Sequence, residues 1–284
     1  MTTGTLDQIV ARVGAMPPLP DTVFRLVNVV SDPESSLQQV VEVIRYDQVL
    51  TTEVLRVCNS AYFGLPRTVE SIDGAVRLLG TVKIFQLAMS VHARAMLASP
   101  LEGYGLPAGA LWIHSAGVAV GAQLLARPMQ LTQLGLLFTA GLLHDVGKTV
   151  LSEFVSEAYT EVVRRVVEDH TSFCEAEQEI LGFTHPEVGA RLAESWNLPE
   201  SIVNCIRYHH APDEPAVPDP LVDAVHLADT ISLLLGIGLG DDGLAYRADP
   251  AVMERHGLSE TDLQTIGVDV IGELRAVQEL FAKQ

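Results

Sequence analysis

The stretch AGLLHDVGK, Ala140 to Lys148, ends one of the most apolar segments of the chain with a histidine, a carboxylate and a lysine. Phe138, Leu142 and Leu143 are residues for a buried helix. His144 and Asp145 therefore stand where that helix either reaches water or reaches a polar pocket inside the protein. An ordinary helix terminus is one reading. A metal site is the other, because imidazole nitrogens and carboxylate oxygens are the donors that divalent transition ions take.

Outward from this stretch the pattern is helical almost throughout. SSLQQVVEVIRYD sets Leu37, Val40, Val41 and Ile44 on one helical face, with Ser35 and Gln38 in capping-box spacing. TEVVRRVVEDH repeats the pattern with Val162, Val163, Val166 and Val167 against outward Arg164 and Arg165. Leu263, Ile266, Val270, Leu274 and Val277 form a stripe near the C-terminus. No stretch alternates convincingly over a full strand length, so the expected fold is all-α with many helices. Proline and glycine break the helices at MPPLPD (16–21) and FGLPRT (63–68). SPLEGYGLPAG (99–109) is the best boundary, dividing an N-terminal helical lobe, 1–100, from a larger lobe with the C-terminal helices, 101–284. APDEPAVPDP (211–220) and GIGLGDDGLAYRADP (236–250) read as loops in the second lobe, and the latter is not a dinucleotide loop because no strand precedes it.

At 284 residues, 48% of them hydrophobic, the chain can bury a large core. Its 18 Lys and Arg face 36 Asp and Glu, a net charge of −18. So acidic a chain repels double-stranded nucleic acid and anionic lipid, and neither is an expected partner. A small anionic ligand stays possible if a metal ion draws it in locally. No apolar run is expected to cross a bilayer and the N-terminus lacks a signal-peptide pattern, so the expected location is cytoplasmic. Cys58, Cys174 and Cys205 form no CxxC pair and read as small buried residues.

Several polar residues sit where burial is expected. His114 lies on the apolar face of GALWIHSAGVAVGAQLLA, and Asp229 is in line with Val222, Val225, His226 and Leu233. A buried aspartate is costly unless it is paired or bound to a cation. Thr184 and Glu187 are in capping-box spacing, placing His185 in the first turn of a helix. A second helix, started near Asn197 and stopped by Pro212, carries His209 and His210 in its last turn. Each residue alone has an ordinary structural reading. Together, His114, His144, Asp145, His185, His209, His210 and Asp229 suit one or two Fe, Mn, Zn or Ni ions better than Ca or Mg. Lys148, one turn after His144, is placed to meet a phosphate oxygen. Composition and spacing leave a metal site and scattered structural histidines equally open. His92, His170, His226 and His256 show no partner pattern and read as structural. Cys58, Ala61, Tyr62 and Phe63 read as interior packing.

At these residues the chain resembles the HD superfamily of metal phosphohydrolases, whose pattern is H…HD…H…HH…D, and GLLHDVGK is close to their central signature. More specifically it resembles HDOD-domain proteins, bacterial signalling modules related to HD and HD-GYP domains. MPPLP, DQVLTTEVLRVCNSAYFG, SIDGAVRLLG, LWIHS, LGFTHPEVGARLAESWNLP, IRYHH and VHLADTIS follow in that family's order over nearly the whole chain. The resemblance implies that His144 and Asp145 are ligands, that Asp145 or Asp229 bridges the ions or orients a water, that Lys148 steadies a phosphate, and that His185, His209 and His210 complete a second ion. HDOD proteins usually carry degenerate HD sites and act as regulators. This chain keeps the ligand set, but has APDEP where HD-GYP enzymes have their GYP motif, and Ala110 where they often carry a glutamate. Two functions are therefore carried forward: a regulatory module that binds a signalling protein in trans or a nucleotide second messenger, and a metal-dependent phosphohydrolase acting on a cyclic dinucleotide or another phosphoester.

Overall fold

The computed structural model describes residues 11, 13–16, 18–32, 34–60, 63–65, 68–169, 171–240 and 248–281. Ala61, Tyr62 and His170, all given structural readings above, lie outside these. The described residues form helices and no strand, as the sequence pattern predicts. The first five are α1 (Asp21–Ser31), α2 (Leu37–Arg45), α3 (Gln48–Cys58), α4 (Ile72–Leu79) and α5 (Thr81–Leu97). After a 3-10 turn at Glu102–Tyr104 come α6 (Ala110–Leu125), α7 (Leu134–Leu143), α8 (Lys148–Glu168), α9 (Phe173–Leu181) and α10 (His185–Ser195). The chain continues with α11 (Glu200–Tyr208), α12 (Pro220–Leu234), α13 (Pro250–His256) and α14 (Glu260–Phe281).

Local chemistry sets these boundaries. α9 and α10 open on capping boxes, Ser172 with Glu175 and Thr184 with Glu187. α12 and α13 open on an aspartate followed by proline, Asp219–Pro220 and Asp249–Pro250, whose carboxylates accept from Leu221 N and Ala251 N. The capping box of α2 is Ser36 with Gln39, one residue beyond the expected pair, because the Ser35 hydroxyl donates to Asp32 Oδ2 instead. Val167 is also a correction: it is 59% exposed, while Val162 and Val166 are buried. α8 turns its apolar stripe inward only to Val166, two residues before its end.

α6 is the hub, buried along nearly its whole length and packed on α7, α12 and α14. Close approach is possible because α7 offers Gly141 to it: a Cβ there would stand 2.6 Å from Ala119 Cα. The segment 99–109 is pinned rather than loose, with Tyr104 fully buried and Gly103 flush against the Ser152 backbone of α8. Leu134–Ser156 does reach bilayer-spanning length and apolarity, against expectation, but 83% of its apolar 18-residue window is buried inside the protein. A core helix pair accounts for that apolarity.

Candidate metal centre

The apolar helix α7 stops at Leu143, and His144 to Gly147 form a turn before α8 begins at Lys148. That turn faces the interior: His144, Asp145 and Lys148 are 0%, 1% and 4% exposed. The start of α10 is pressed against it. A Cβ on Gly147 would stand 1.9 Å from His185 O and 2.6 Å from Gly189 N, so only glycine permits this approach. The approach leaves His185 Nε2 3.3 Å from Asp145 Oδ1.

All seven candidate ligands come together, from α6 (His114), the α7–α8 turn (His144, Asp145), α10 (His185), the end of α11 (His209, His210) and α12 (Asp229). They divide into two groups of mutually close ligand atoms, His114, His144 and Asp229 in one and Asp145, His185, His209 and His210 in the other. His209 and His210 lie just past the last helical residue, Tyr208, rather than within the last turn.

Asp145 stands between the groups. Its Oδ2 is 3.6 Å from His114 Nε2 and 3.4 Å from His144 Nε2, and its Oδ1 is 3.3 Å from His185 Nε2 and 3.6 Å from His209 Nε2. Asp229 Oδ1 lies 3.0 Å from His114 Nε2 and 3.7 Å from His144 Nε2, while its Oδ2 is 3.5 Å from His210 Nδ1.

The rings are oriented from behind. His114 Nδ1 donates to Ile237 O (3.1 Å), His144 Nδ1 to Gly141 O (2.8 Å) and His209 Nδ1 to Ile206 O (2.8 Å). A neutral imidazole with its proton on Nδ1 has its lone pair on Nε2, and each Nε2 here faces the centre. His185 Nδ1 donates to Glu177 Oε2 at 2.9 Å. Glu177 is fully buried and also accepts from His185 N and the Tyr104 hydroxyl. His226 holds the far side, donating from Nδ1 to His209 O and accepting from Asp249 N at Nε2. His256 donates to Asp223, which Arg255 also grips with two bonds.

Among the buried atoms without a hydrogen-bond partner are several that face one another in this cluster: Nε2 of His144, His185 and His209, and Oδ1 of Asp145. Leaving such atoms unsatisfied costs roughly 1–3 kcal/mol each. Three imidazole nitrogens and a carboxylate oxygen facing one another could hold a divalent ion that displaces their protons. The group of His114, His144 and Asp229 and the group of Asp145, His185, His209 and His210 could each hold a metal ion.

Charge is balanced by proton and lysine when no ion is bound. Burial pulls His144 down, but Asp145 and Asp229 outweigh it and hold the ring up at about 9. Burial drives His209 down to about 4 and His210 well below its ordinary value. Burial opposes ionisation of Asp145, yet Lys148 and His144 keep it well below the usual carboxylate range. Lys148 Nζ donates to Asp145 Oδ2 at 2.6 Å.

Known proteins agree with this fold. The sequence profile of the HDOD domain matches residues 16–212. A crystal structure of an HDOD domain protein with unknown function from Geobacter sulfurreducens is 30% identical and superposes with a TM-score of 0.74, covering 97% of this chain and 99% of that one. An uncharacterized protein of Treponema pallidum (strain Nichols) is 30% identical over 247 residues, 83% of this chain and 46% of that protein. Ribonuclease Y of Aquifex aeolicus (strain VF5) is 32% identical over 120 residues, 42% of this chain and 16% of that protein. The chain thus spans less than half the length of these two relatives.

Proposed function

The chain belongs to the HDOD domain family, and on that premise we propose that it is a signal-transduction module built around a retained two-ion centre of the HD type. The observation that supports this is the convergence of the Nε2 atoms of His144, His185 and His209 on both oxygens of Asp145, with each ring held by its Nδ1. Such an arrangement joins α6, the α7–α8 turn, α10, the end of α11 and α12. Ion occupancy then sets how firmly these elements hold together, and a protein partner in trans, or a nucleotide, reads the result.

Burial favours regulation over turnover. The side chain of His210 is 9% exposed, and those of His114, His144, Asp145, His185, His209 and Asp229 are 4% or less. A phosphoester reaches the Asp145 carboxylate only if helices part.

The second reading, a metal-dependent phosphohydrolase, is favoured by the complete donor set and by the similarity to Ribonuclease Y over 120 residues. Bound ions would there supply charge for a phosphate and a more acidic water. Asp145 would hold both ions, and Lys148 would leave Asp145 for a phosphate oxygen.

The deciding experiment is elemental analysis of untagged protein purified without oxygen, followed by assays on cyclic di-GMP, nucleotides and model phosphodiesters. About two Fe, Mn, Zn or Ni per chain with no turnover is the expected result. Turnover that is lost in His144→Ala/Asp145→Ala supports the phosphohydrolase instead. A chain that takes up no ion even on reconstitution removes the centre from both readings.

A further inference from the structure

The buried centre raises a loading problem that the structure answers. An ion must pass from solvent to donors that are almost wholly enclosed, and His210 is the most exposed of them. His210 opens onto a surface groove with a volume of about 720 Å³ that also contains Cys174, Glu175, Glu187 and Glu214. At its edge, ligand atoms of Cys174, Glu177 and His185 lie within 4.8 Å of one another, a third group beside the two of the centre. Cys174 is partly exposed; Glu177 and His185 are buried.

We infer that Cys174, Glu177 and the Nδ1 face of His185 form an acquisition station for a thiophilic divalent ion, which the two-sided imidazole of His185 passes to the buried centre. The inference rests on the two-ion reading above. Cys174 Sγ is 3.8 Å from His185 Nδ1, and Glu177 Oε2 is 2.9 Å from the same nitrogen. Zinc-to-sulfur and zinc-to-nitrogen bonds of roughly 2.3 and 2.0 Å at a tetrahedral angle place sulfur and nitrogen roughly 3.5 Å apart. The observed spacing needs only a small closure. Three protein donors of mixed type leave a fourth position for water, the pattern of an exchangeable site rather than a closed structural one. Glu175, Glu187 and Glu214 outnumber the single Arg207 in the same groove and raise the local cation concentration.

The hand-off balances in protons. With an ion on Nδ1, the ring carries its proton on Nε2 and donates it toward Asp145 Oδ1, 3.3 Å away. With an ion on Nε2, the proton stands on Nδ1 and is donated to Glu177 Oε2, 2.9 Å away. One imidazole thus serves the station or the centre, and the exchange needs no oxidant or reductant.

The test is stopped-flow mixing of the metal-stripped full chain with Co²⁺ under anaerobic conditions, followed in the thiolate-to-cobalt charge-transfer band and closed by elemental analysis. The parent protein should show the band early and lose it as cobalt moves inward. Cys174→Ser should show no band, load at least ~10-fold more slowly, and reach the same final cobalt content. Cys58 and Cys205 do not confuse the signal, since both are buried and their thiols are pushed up. Full cobalt content with no band at any time, or equal loading rates in parent and variant, overturns the station and leaves the centre standing. A band that persists with no further cobalt keeps the station and removes the centre.

Discussion

Gly147→Ala isolates the contact on which the second half of the centre depends. Gly147 has φ −61° and ψ −28°, ordinary helical values, so alanine meets no backbone strain there. The penalty is wholly steric. The added methyl would lie 1.9 Å from His185 O, and an ordinary contact requires the two backbones to part by roughly 1.5 Å. Flexible side chains cannot absorb this, because the obstructing atoms at 1.9 and 2.6 Å are backbone atoms of His185 and Gly189. Overpacking of this kind costs ~3 kcal/mol, and for a chain of this size each kcal/mol lowers Tm by roughly 2–4 °C. The metal-stripped variant should therefore melt roughly 6–12 °C below the stripped parent. The same displacement carries His185 Nε2 away from Asp145 Oδ1, far outside the ~0.2 Å tolerance of a metal site, so one of the two ions should be lost. Calorimetry of stripped protein reads the packing term, and elemental analysis of loaded protein reads the ligand term. Gly272→Ala is the control: no atom lies within 4 Å of its added methyl, and a helical alanine gains up to ~1 kcal/mol over glycine. A Gly147→Ala protein that melts with the parent and holds the full metal content refutes the reasoning.

Two further outcomes follow from the groups behind the ligands. Glu177→Gln keeps the size of the side chain but removes the charge that receives the His185 proton, so affinity for one ion should fall ~10–100-fold while the fold survives; unchanged affinity in a competition titration would reduce Glu177 to packing. His144 is held at about 9 against an ordinary 6.5, so in stripped protein its stabilising proton is fully present below pH 6.5 and is lost as pH rises through 9. Thermal melts should show stripped protein losing stability across that interval. Loaded protein, with His144 already unprotonated, should lack that loss, and identical profiles for the two forms would contradict it.

Four of the seven candidate ligands were legible because they broke an apolar pattern, His114 and Asp229 interrupting helical stripes and His144–Asp145 closing one, while His185, His209 and His210 were placed by helix starts and stops. Glu177 carried the same signal, lying on the buried face of α9 with Phe173, Ala176 and Leu181, and could have been found by the same rule. Ile237 O, which orients His114, left no trace, because a backbone carbonyl looks alike in every sequence. The α2 cap was ambiguous for a local reason: SSLQQ holds two overlapping Ser-x-x-Gln pairs, and only the bond from Ser35 to Asp32 chooses between them. Lys148 was correctly placed near the site, but spacing could not show which acid it would hold.

Without ions, the polar cluster that would make the centre is a costly part of the core. Asp145 and Asp229 are buried carboxylates, and Lys148, with the proton on His144, offsets their charge while leaving Nε2 of His185 and His209 unsatisfied. Hydrophobic residues of similar size would hold these helices together more simply. A centre that binds ions converts this cost into dependence, because binding stabilises the folded state by RT ln(1 + [L]/Kd), about 4 kcal/mol at a thousandfold excess over Kd. That is a large share of a domain's margin of stability, roughly 5–15 kcal/mol. Coupling on this scale needs no contact between solvent and Asp145. It needs only that α6, the α7–α8 turn, α10, the end of α11 and α12 share the ions, so that losing them loosens all five at once. The enclosure that hinders turnover is, for this reason, what makes the centre suited to regulation.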